Sequence, residues 1–333
     1  MDPISQGSLG ASLPQAFSRK ATIGAATFCG WLSGMAPDLD TFIRSDTDPF
    51  LRLEFHRQFT HSLIFIPVGA LLCAVLFYYL FTKRRQISFK LTYLFCFLGY
   101  ATHGMLDACT SFGTQLLWPF TDHRFAFNTI SIVDPLFTLP LLALVITAAV
   151  RKNPLFGKIA LAWVLLYQGF GVYQHFRVES IGYELAAERG HTPIRLEVKP
   201  GFANLLLWKV IYEIEDGYYT DAVRAGTSVK VWRGKFIPRL DIDRDLPWLD
   251  KNSQQAKDIE RFAWFSKGYL ALDAENPYRV TDMRYSLVPN EATGMWSIWL
   301  NPEAGRDEHV EMKQDRPTGG PRFKRFFEML LGK

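Results

Sequence analysis

The chain has 333 residues, enough for a membrane domain plus one soluble domain. Residues 1–176 carry 13 Lys/Arg against 9 Asp/Glu and residues 177–333 carry 24 of each, so the formal net charge of +4 belongs wholly to the apolar first half. The excess is therefore read as membrane topology, and nucleic acid is not an expected partner. The four cysteines (Cys29, Cys73, Cys96, Cys109) lie in or beside apolar segments without CxxC spacing. That speaks against a disulfide framework or a Cys-ligated zinc site and for small apolar fillers.

In chain order, Pro3–Phe17 is rich in Gly, Ser and Ala. It reads either as a short helix packed through small residues or as a solvated tail. The start lacks the basic region and apolar core of a cleavable signal. A bilayer core needs about 20 apolar helical residues. Ala21–Ala36 is a short span candidate, Ser62–Thr82 the clearest, and Phe89–Thr110, Ile130–Val150 and Leu155–Phe176 follow. The first 176 residues thus read as an α-helical polytopic membrane domain of about five spans. Arg19-Lys20, Lys83-Arg84-Arg85 with Lys90, and Arg151-Lys152 with Lys158 fall at alternate turns, which marks the cytoplasmic ends. The opposite ends carry Asp38, Asp40, Asp46, Asp48, Glu54, Asp107, Asp122 and Asp134. The expected location is a bacterial inner membrane, multi-pass, with these acidic ends and the C-terminal half on the periplasmic side.

Ionisable residues inside a membrane are costly unless paired, hydrated or ion-bound. Here they gather at the predicted outer mouths. Pro37-Asp38-Leu39-Asp40 puts two carboxylates on a turn after the first span, ligands that suit hard or borderline cations. His56-Arg57-Gln58-Phe59-Thr60-His61 opens the next span. Thr60 is a plausible N-cap, which sets His61 in a first helical turn where neutral imidazole is favoured, and Arg57 can fork onto a phosphate or carboxylate. His103 and Asp107 are four apart and share a helix face, so both can grip one ion, or Asp107 can orient the imidazole. Gly99 and Gly104 allow another helix to come close. Asp122, His123, Asp134, His175 and Glu179 are lesser candidates that read better as interfacial or structural. His and Asp without Cys suit zinc, or else manganese or iron, in an open catalytic site. A bound ion would lower the pKa of its water toward 7, with Asp40 or Asp107 taking the proton.

The order PDLD, HRQFTHS, HGMLDACTSFGT and WPF resembles the YdjM-like family of inner-membrane metal-dependent hydrolases, which is distantly similar to zinc-dependent phospholipase C and P1-type nucleases. The resemblance covers about residues 1–140. It extends more weakly to Phe265-Ser266-Lys267-Gly268 and Asp282-Met283-Arg284-Tyr285. It implies Asp38, His56, His61, His103 and Asp107 as metal ligands, with Asp40 a further candidate. Some members of that family are described as repressor-binding proteins. Many also carry a Thr-His pair near the start, where this chain has Ser5-Gln6; Gln6 is a poor substitute at an imidazole position, which leaves the ion count open.

Residues 177–333 read as a small α+β or mostly β extracytoplasmic domain. Strand patterns occur at Ile194–Lys199, Leu206–Ile214, Thr227–Val231 and Met295–Leu300, with a turn at Glu215-Asp216-Gly217 and helical spacing over Gln254–Tyr269. Trp208, Trp232, Trp264, Trp296 and Trp299 read as core. The tail from Arg322 is basic and amphipathic and suits either an anionic lipid surface or a solvated end. The leading functional expectation is a metal-dependent hydrolase of the outer membrane face. Its substrate would be a phosphoester or a lipid-linked compound, with Asp40 as general base and Arg57 as anion contact. The alternative is a non-catalytic adaptor or regulatory protein with a structural ion. A transporter ranks last, because the cytoplasmic halves of the spans show no acidic or His relay.

Overall fold

The computed structural model describes residues 1–315 and 319–333. The chain divides into two compact units: Met1–Phe42 with Phe55–Tyr173 and Phe202–Asn204, and Ile43–Glu54 with Gln174–Gly201 and Leu205–Lys333.

The first unit is helical. Its elements are α1 (Pro3–Phe17), α2 (Ile23–Met35) followed by a 3-10 segment Ala36–Phe42, then α4 (Ile66–Phe77), α5 (Phe89–Cys109), α6 (Pro135–Arg151) and α7 (Pro154–Glu188) as far as Tyr173; the short α3 (Leu51–Phe55), up to Glu54, and the rest of α7 count with the second unit. Helix starts follow side-chain capping. Asp2 accepts from Ser5 N with Pro3 in the first turn, Ser88 accepts from Leu91 N, and Asp134 caps α6 ahead of Pro135. Of the two readings of the N-terminal stretch, the packed helix holds. Ser5, Gln6, Gly7, Ser8, Gly10, Ala11 and Ser12 are all buried, because their small side chains admit α2 and α5 at close range. Ala25, Ala26, Cys29, Ala70, Ala74, Phe77, Phe95, Cys96 and Tyr100 form the apolar core between α2, α4 and α5, and all four cysteines are free.

The expected count of about five spans is corrected. Among the described residues two helical stretches are long and apolar enough to cross a bilayer, Leu63–Arg85 and Pro154–Glu188. α2 has 13 residues and α6 has 17, both short of a bilayer core, and α5 has the length but carries His103 and Asp107 in its last turns. Large apolar side chains on the two long stretches, among them Leu72, Leu76, Leu80, Leu165 and Leu166, are exposed, as a lipid-facing surface requires.

The second unit is α+β. One sheet runs β1 (Arg195–Pro200), β2 (Leu207–Ile214), β3 (Gly217–Ala225), β4 (Val229–Trp232), with β5 (Phe236–Pro238) also pairing β3; every pairing is antiparallel. Glu215-Asp216 is the two-residue hairpin turn between β2 and β3, with Ile214 opposite Gly217. After α8 (Ile242–Asp245) and α9 (Gln254–Phe265), a second antiparallel sheet runs β6 (Leu270–Leu272), β7 (Arg279–Asp282), β8 (Trp296–Trp299), β9 (Glu311–Gln314), and α10 (Gly320–Leu330) ends the chain. α10 is not a free end. Its Phe326 and Met329 are fully buried against Leu207, Ala222 and Val288. Of the five tryptophans read as core, Trp208 alone is fully buried, while Trp264 is 42% exposed.

Candidate metal centre

Three segments of the first unit bring the predicted residues together: the 3-10 turn after α2 (Asp38, Asp40), the turn ahead of α4 (His56, Arg57, His61) and the end of α5 (His103, Asp107). Glycine permits the approach. A Cβ at Gly104 would collide with the His61 carbonyl, and one at Gly99 with Gly30 of α2. Thr60 is not a helix cap, since α4 begins only at Ile66. Its hydroxyl donates to Asp40 Oδ2 at 2.8 Å instead.

The protonation pattern follows from the partners. His103 Nδ1 lies 2.6 Å from the Gly34 carbonyl, which can only accept, so Nδ1 carries the proton. The Thr60 hydroxyl has spent its proton on Asp40, so its lone pair accepts from His61 Nδ1 at 2.9 Å, with Asp40 Oδ2 at 3.2 Å. His56 Nδ1 donates to Asp40 Oδ1 at 2.7 Å. Asp40 also accepts from the Arg57 backbone N–H at 3.0 Å. Asp40 therefore orients two imidazoles and is saturated with donors, which is a positioning role rather than that of a free general base.

With Nδ1 committed, Nε2 of both His61 and His103 presents a lone pair, and the two atoms face each other at 2.9 Å. Asp38 Oδ1 lies 3.5 and 3.4 Å from them, and Asp107 Oδ2 lies 3.3 and 3.6 Å from them. A tetrahedron of ligands with arms of about 2.0–2.1 Å has edges of about 3.3 Å. The four His–Asp separations, 3.3 to 3.6 Å, lie close to that figure, and the Nε2–Nε2 pair is shorter. Asp107 Oδ2 is buried and takes no well-aligned hydrogen bond, whereas Oδ1 is used by the Met1 amino nitrogen and by Gln6 Nε2 at 2.9 Å. In the metal-free chain a proton can stand where a cation would: burial opposes charge on His61, but hydrogen bonds to Asp107, Asp38 and Asp40 push it up to about 10. With that proton displaced, two imidazole nitrogens and two carboxylate oxygens converge, a donor set that fits a divalent ion. Of the five residues expected as ligands, Asp38, His61, His103 and Asp107 form this set; His56 falls in a second group with Asp38 and Asp40.

Burial opposes charge on Asp38, yet the neighbouring His103 and His61 rings hold its carboxyl well below the usual range. Asp40 is shifted the same way, against burial, by His56 and His61. Burial pulls His56 down, which favours the neutral ring. Asp38 is the half-exposed member of the set, at 27% of its side chain, while the other three are sealed.

Arg57 does not point a free fork outward. Its Nε lies 3.0 Å from Asp107 Oδ2, Nη1 donates to Thr110 Oγ1 at 2.9 Å, and the guanidinium sits 4.9 Å over Phe112. Its backbone is left-handed, at φ 65°, a conformation costing roughly 1–3 kcal/mol and held here by its N–H to Asp40 and its carbonyl from Gln115 N. Gln6 is buried beside Asp107, so the position that departs from the resembled family does adjoin the centre. Sequence reasoning missed Arg124, whose Nη1 donates to the His56 and Gly113 carbonyls; no local spacing signals it. Among the lesser candidates, Asp134 caps α6 and accepts from Tyr167 at 2.8 Å, and Asp122 and His123 are exposed. None of them joins the cluster.

The profile of the YdjM inner membrane protein family matches residues 1–178. The inner membrane protein YbcI of Escherichia coli (strain K12) is 34% identical over 102 residues, 29% of this chain and 56% of that relative, so the chain spans about half the length of the curated relative it matches. No solved structure matches.

Proposed function

The chain belongs to the YdjM inner membrane protein family, and from that premise we propose that it is a membrane-bound, metal-dependent hydrolase. Its substrate would be a phosphoester or a lipid-linked compound reached at the periplasmic face. The reading rests on one observation, the two Nε2 lone pairs and two carboxylate oxygens at tetrahedral spacing with both Nδ1 protons already spent. Asp38, His61, His103 and Asp107 would hold a divalent ion, zinc first among the candidates and manganese or iron after it. A bound ion of this kind polarises a phosphoryl oxygen and acidifies water. Asp40 and Thr60 keep the His61 ring turned, Arg57 fixes Asp107, and the half-exposed Asp38 leaves one side of the centre open to substrate. The basic ends Lys83-Arg84-Arg85 and Arg151-Lys152, one beside each long apolar stretch, support a multi-pass arrangement with those ends in the cytoplasm.

The test is metal content of the detergent-purified protein by mass spectrometry, followed by hydrolysis of a chromogenic phosphodiester and of phospholipid vesicles. About one or two equivalents of zinc with metal-dependent turnover is the expected result. No metal in a folded, reloaded protein would sink the reading. A second reading, a non-catalytic adaptor with a structural ion, draws on the count of four protein ligands, which can close a tetrahedral site. The cobalt-loaded protein separates the two readings: a visible spectrum that shifts when phosphate is added means an open position, and an unchanged one means a closed staple.

A further inference from the structure

The segment Ile43–Glu54 lies between the two motifs that carry ligands, yet it belongs to the second compact unit. The chain leaves the first unit two residues after Asp40 and re-enters it one residue before His56. Inside the second unit this segment is gripped by α9. Arg261 forks onto Asp48, with Nη1 to Oδ1 and Nη2 to Oδ2 both at 2.9 Å, and its Nε donates to Glu54 at 2.7 Å. Phe50 is almost fully buried, packs on Phe262 at 6.3 Å between centroids and lies under the Arg261 guanidinium at 4.9 Å. Asp48 is itself pre-set, because its Oδ1 also accepts from Phe50 N. Asp258, fully buried, braces Arg261 from one turn earlier and takes His309 Nδ1 at 2.8 Å and Val310 N at 3.1 Å. One guanidinium thus fixes the second half of the segment, at residues 48 and 54.

We propose that Arg261 is a positioning residue for the metal centre, clamping the Ile43–Glu54 segment so that the ligand turns at Asp38–Asp40 and His56–His61 are held at a fixed chain separation. This rests on the metal-centre reading above and assigns the C-terminal domain a role at that centre. The physical reason is chain entropy. A 12-residue connection left loose lets its two flanking turns sample many separations, whereas one guanidinium that forks onto Asp48 and reaches Glu54 around the Phe50 plug shortens the free part to residues 43–47. Arginine is required, because lysine cannot reach two carboxylates with a planar fork. The family match ends at residue 178, so Arg261 lies outside it.

The experiment uses the full chain in detergent, loaded with zinc and titrated against a chromophoric chelator, with hydrogen exchange of residues 36–61 as a second readout. Arg261→Ala is expected to weaken zinc binding about tenfold at unchanged stoichiometry, within the range seen when groups that orient ligands are removed. It is also expected to speed exchange at residues 36–61, with circular dichroism unchanged. Arg261→Lys should fail to rescue. The charge-swapped pair Arg261→Glu with Asp48→Arg should recover part of the affinity. Wild-type binding with an unaltered Arg261→Ala affinity and exchange would overturn the clamp and leave the metal centre standing. A wild type that binds no zinc would overturn both. If Arg261→Ala fails to fold, Asp48→Asn with Glu54→Gln carries the same test from the loop side.

Discussion

Both units bury charge, and they do so in opposite ways. Among the described residues of the second unit, three charged clusters are closed by the protein itself. Arg284 forks onto Asp282 at 3.0 and 2.7 Å, Lys199 meets Glu197 at 2.7 Å and Arg189 forks onto Asp221 at 2.7 Å. In the first unit four acceptors face one another, and the protein's own cation, Arg57, stands at the edge against Asp107. A self-paired cluster organises a domain and asks for nothing from solution. A cluster of lone pairs with its outer protons already assigned suits a positive partner from solution, the ion proposed above.

The largest effect that would break this contrast comes from the centre. His103→Ala with Asp107→Ala is expected to abolish stoichiometric zinc, a loss of at least about 100-fold in affinity measured by mass spectrometry after dialysis. Retention of the ion would show that the four acceptors are not its ligands. In the second unit, Asp282→Ala strands the buried Arg284 and should cost about 3–5 kcal/mol, read as early proteolysis of residues beyond 195, while zinc content stays at the wild-type level. Phe326→Ala should cost the same unit about 3–5 kcal/mol by opening a cavity beside Leu207 and Val288, with no change in vesicle association; a loss of vesicle binding instead would support the lipid-lying tail.

Smaller and sharper is a pH effect. Burial pushes Lys209 down from 10.5 to about 7, and its ammonium is held by neutral oxygens alone, from Ser286, Pro289 and Glu291. Between these values the unfolded chain binds the extra proton. Stability therefore rises with pH across about 7 to 10.5, is fully gained above the unfolded value and is lost as pH falls through the folded one. The slope is at most about 1.4 kcal/mol per pH unit, and Lys209→Met should flatten it in denaturant melts of the second unit. The smallest effect belongs to Asp134. Asp134→Ala removes the α6 cap and a Tyr167 partner for about 1–2 kcal/mol and should leave zinc untouched, which distinguishes a buried structural carboxylate from a ligand.

The ligand residues were legible because their chemistry is written in short spacings: Asp38 and Asp40 two apart, His103 and Asp107 one helical turn apart. What those spacings cannot carry is the partner across the fold. Asp40 reads as a free carboxylate until His56, His61, Thr60 and the Arg57 N–H arrive from 16 to 21 residues away. Arg57 reads as an outward fork until Thr110 and Asp107 occupy it. β3 escaped notice because it is buried on both faces. Asp221 and Arg224 interrupt its apolar pattern and are satisfied by Arg189 and by the Leu330 carbonyl, so no alternation survives in the sequence. The span count was overstated because composition shows how apolar a segment is, while the break of α2 at Met35 and the polar end of α5 depend on what they pack against.

The contact between His103 and Gly34 has a consequence for how this chain can drift. The group that decides which imidazole nitrogen is free is a main-chain carbonyl, which no side-chain replacement can delete. It can only be moved, and Gly34 sits where an added methyl would come within 2.9 Å of the Gly10 Cα. A Gly34→Ala change, conservative by any exchange table, would pry two helices apart and release the tautomer lock without altering one residue that could touch an ion. Sequence surveys that score only the histidines and aspartates would rate such a variant intact.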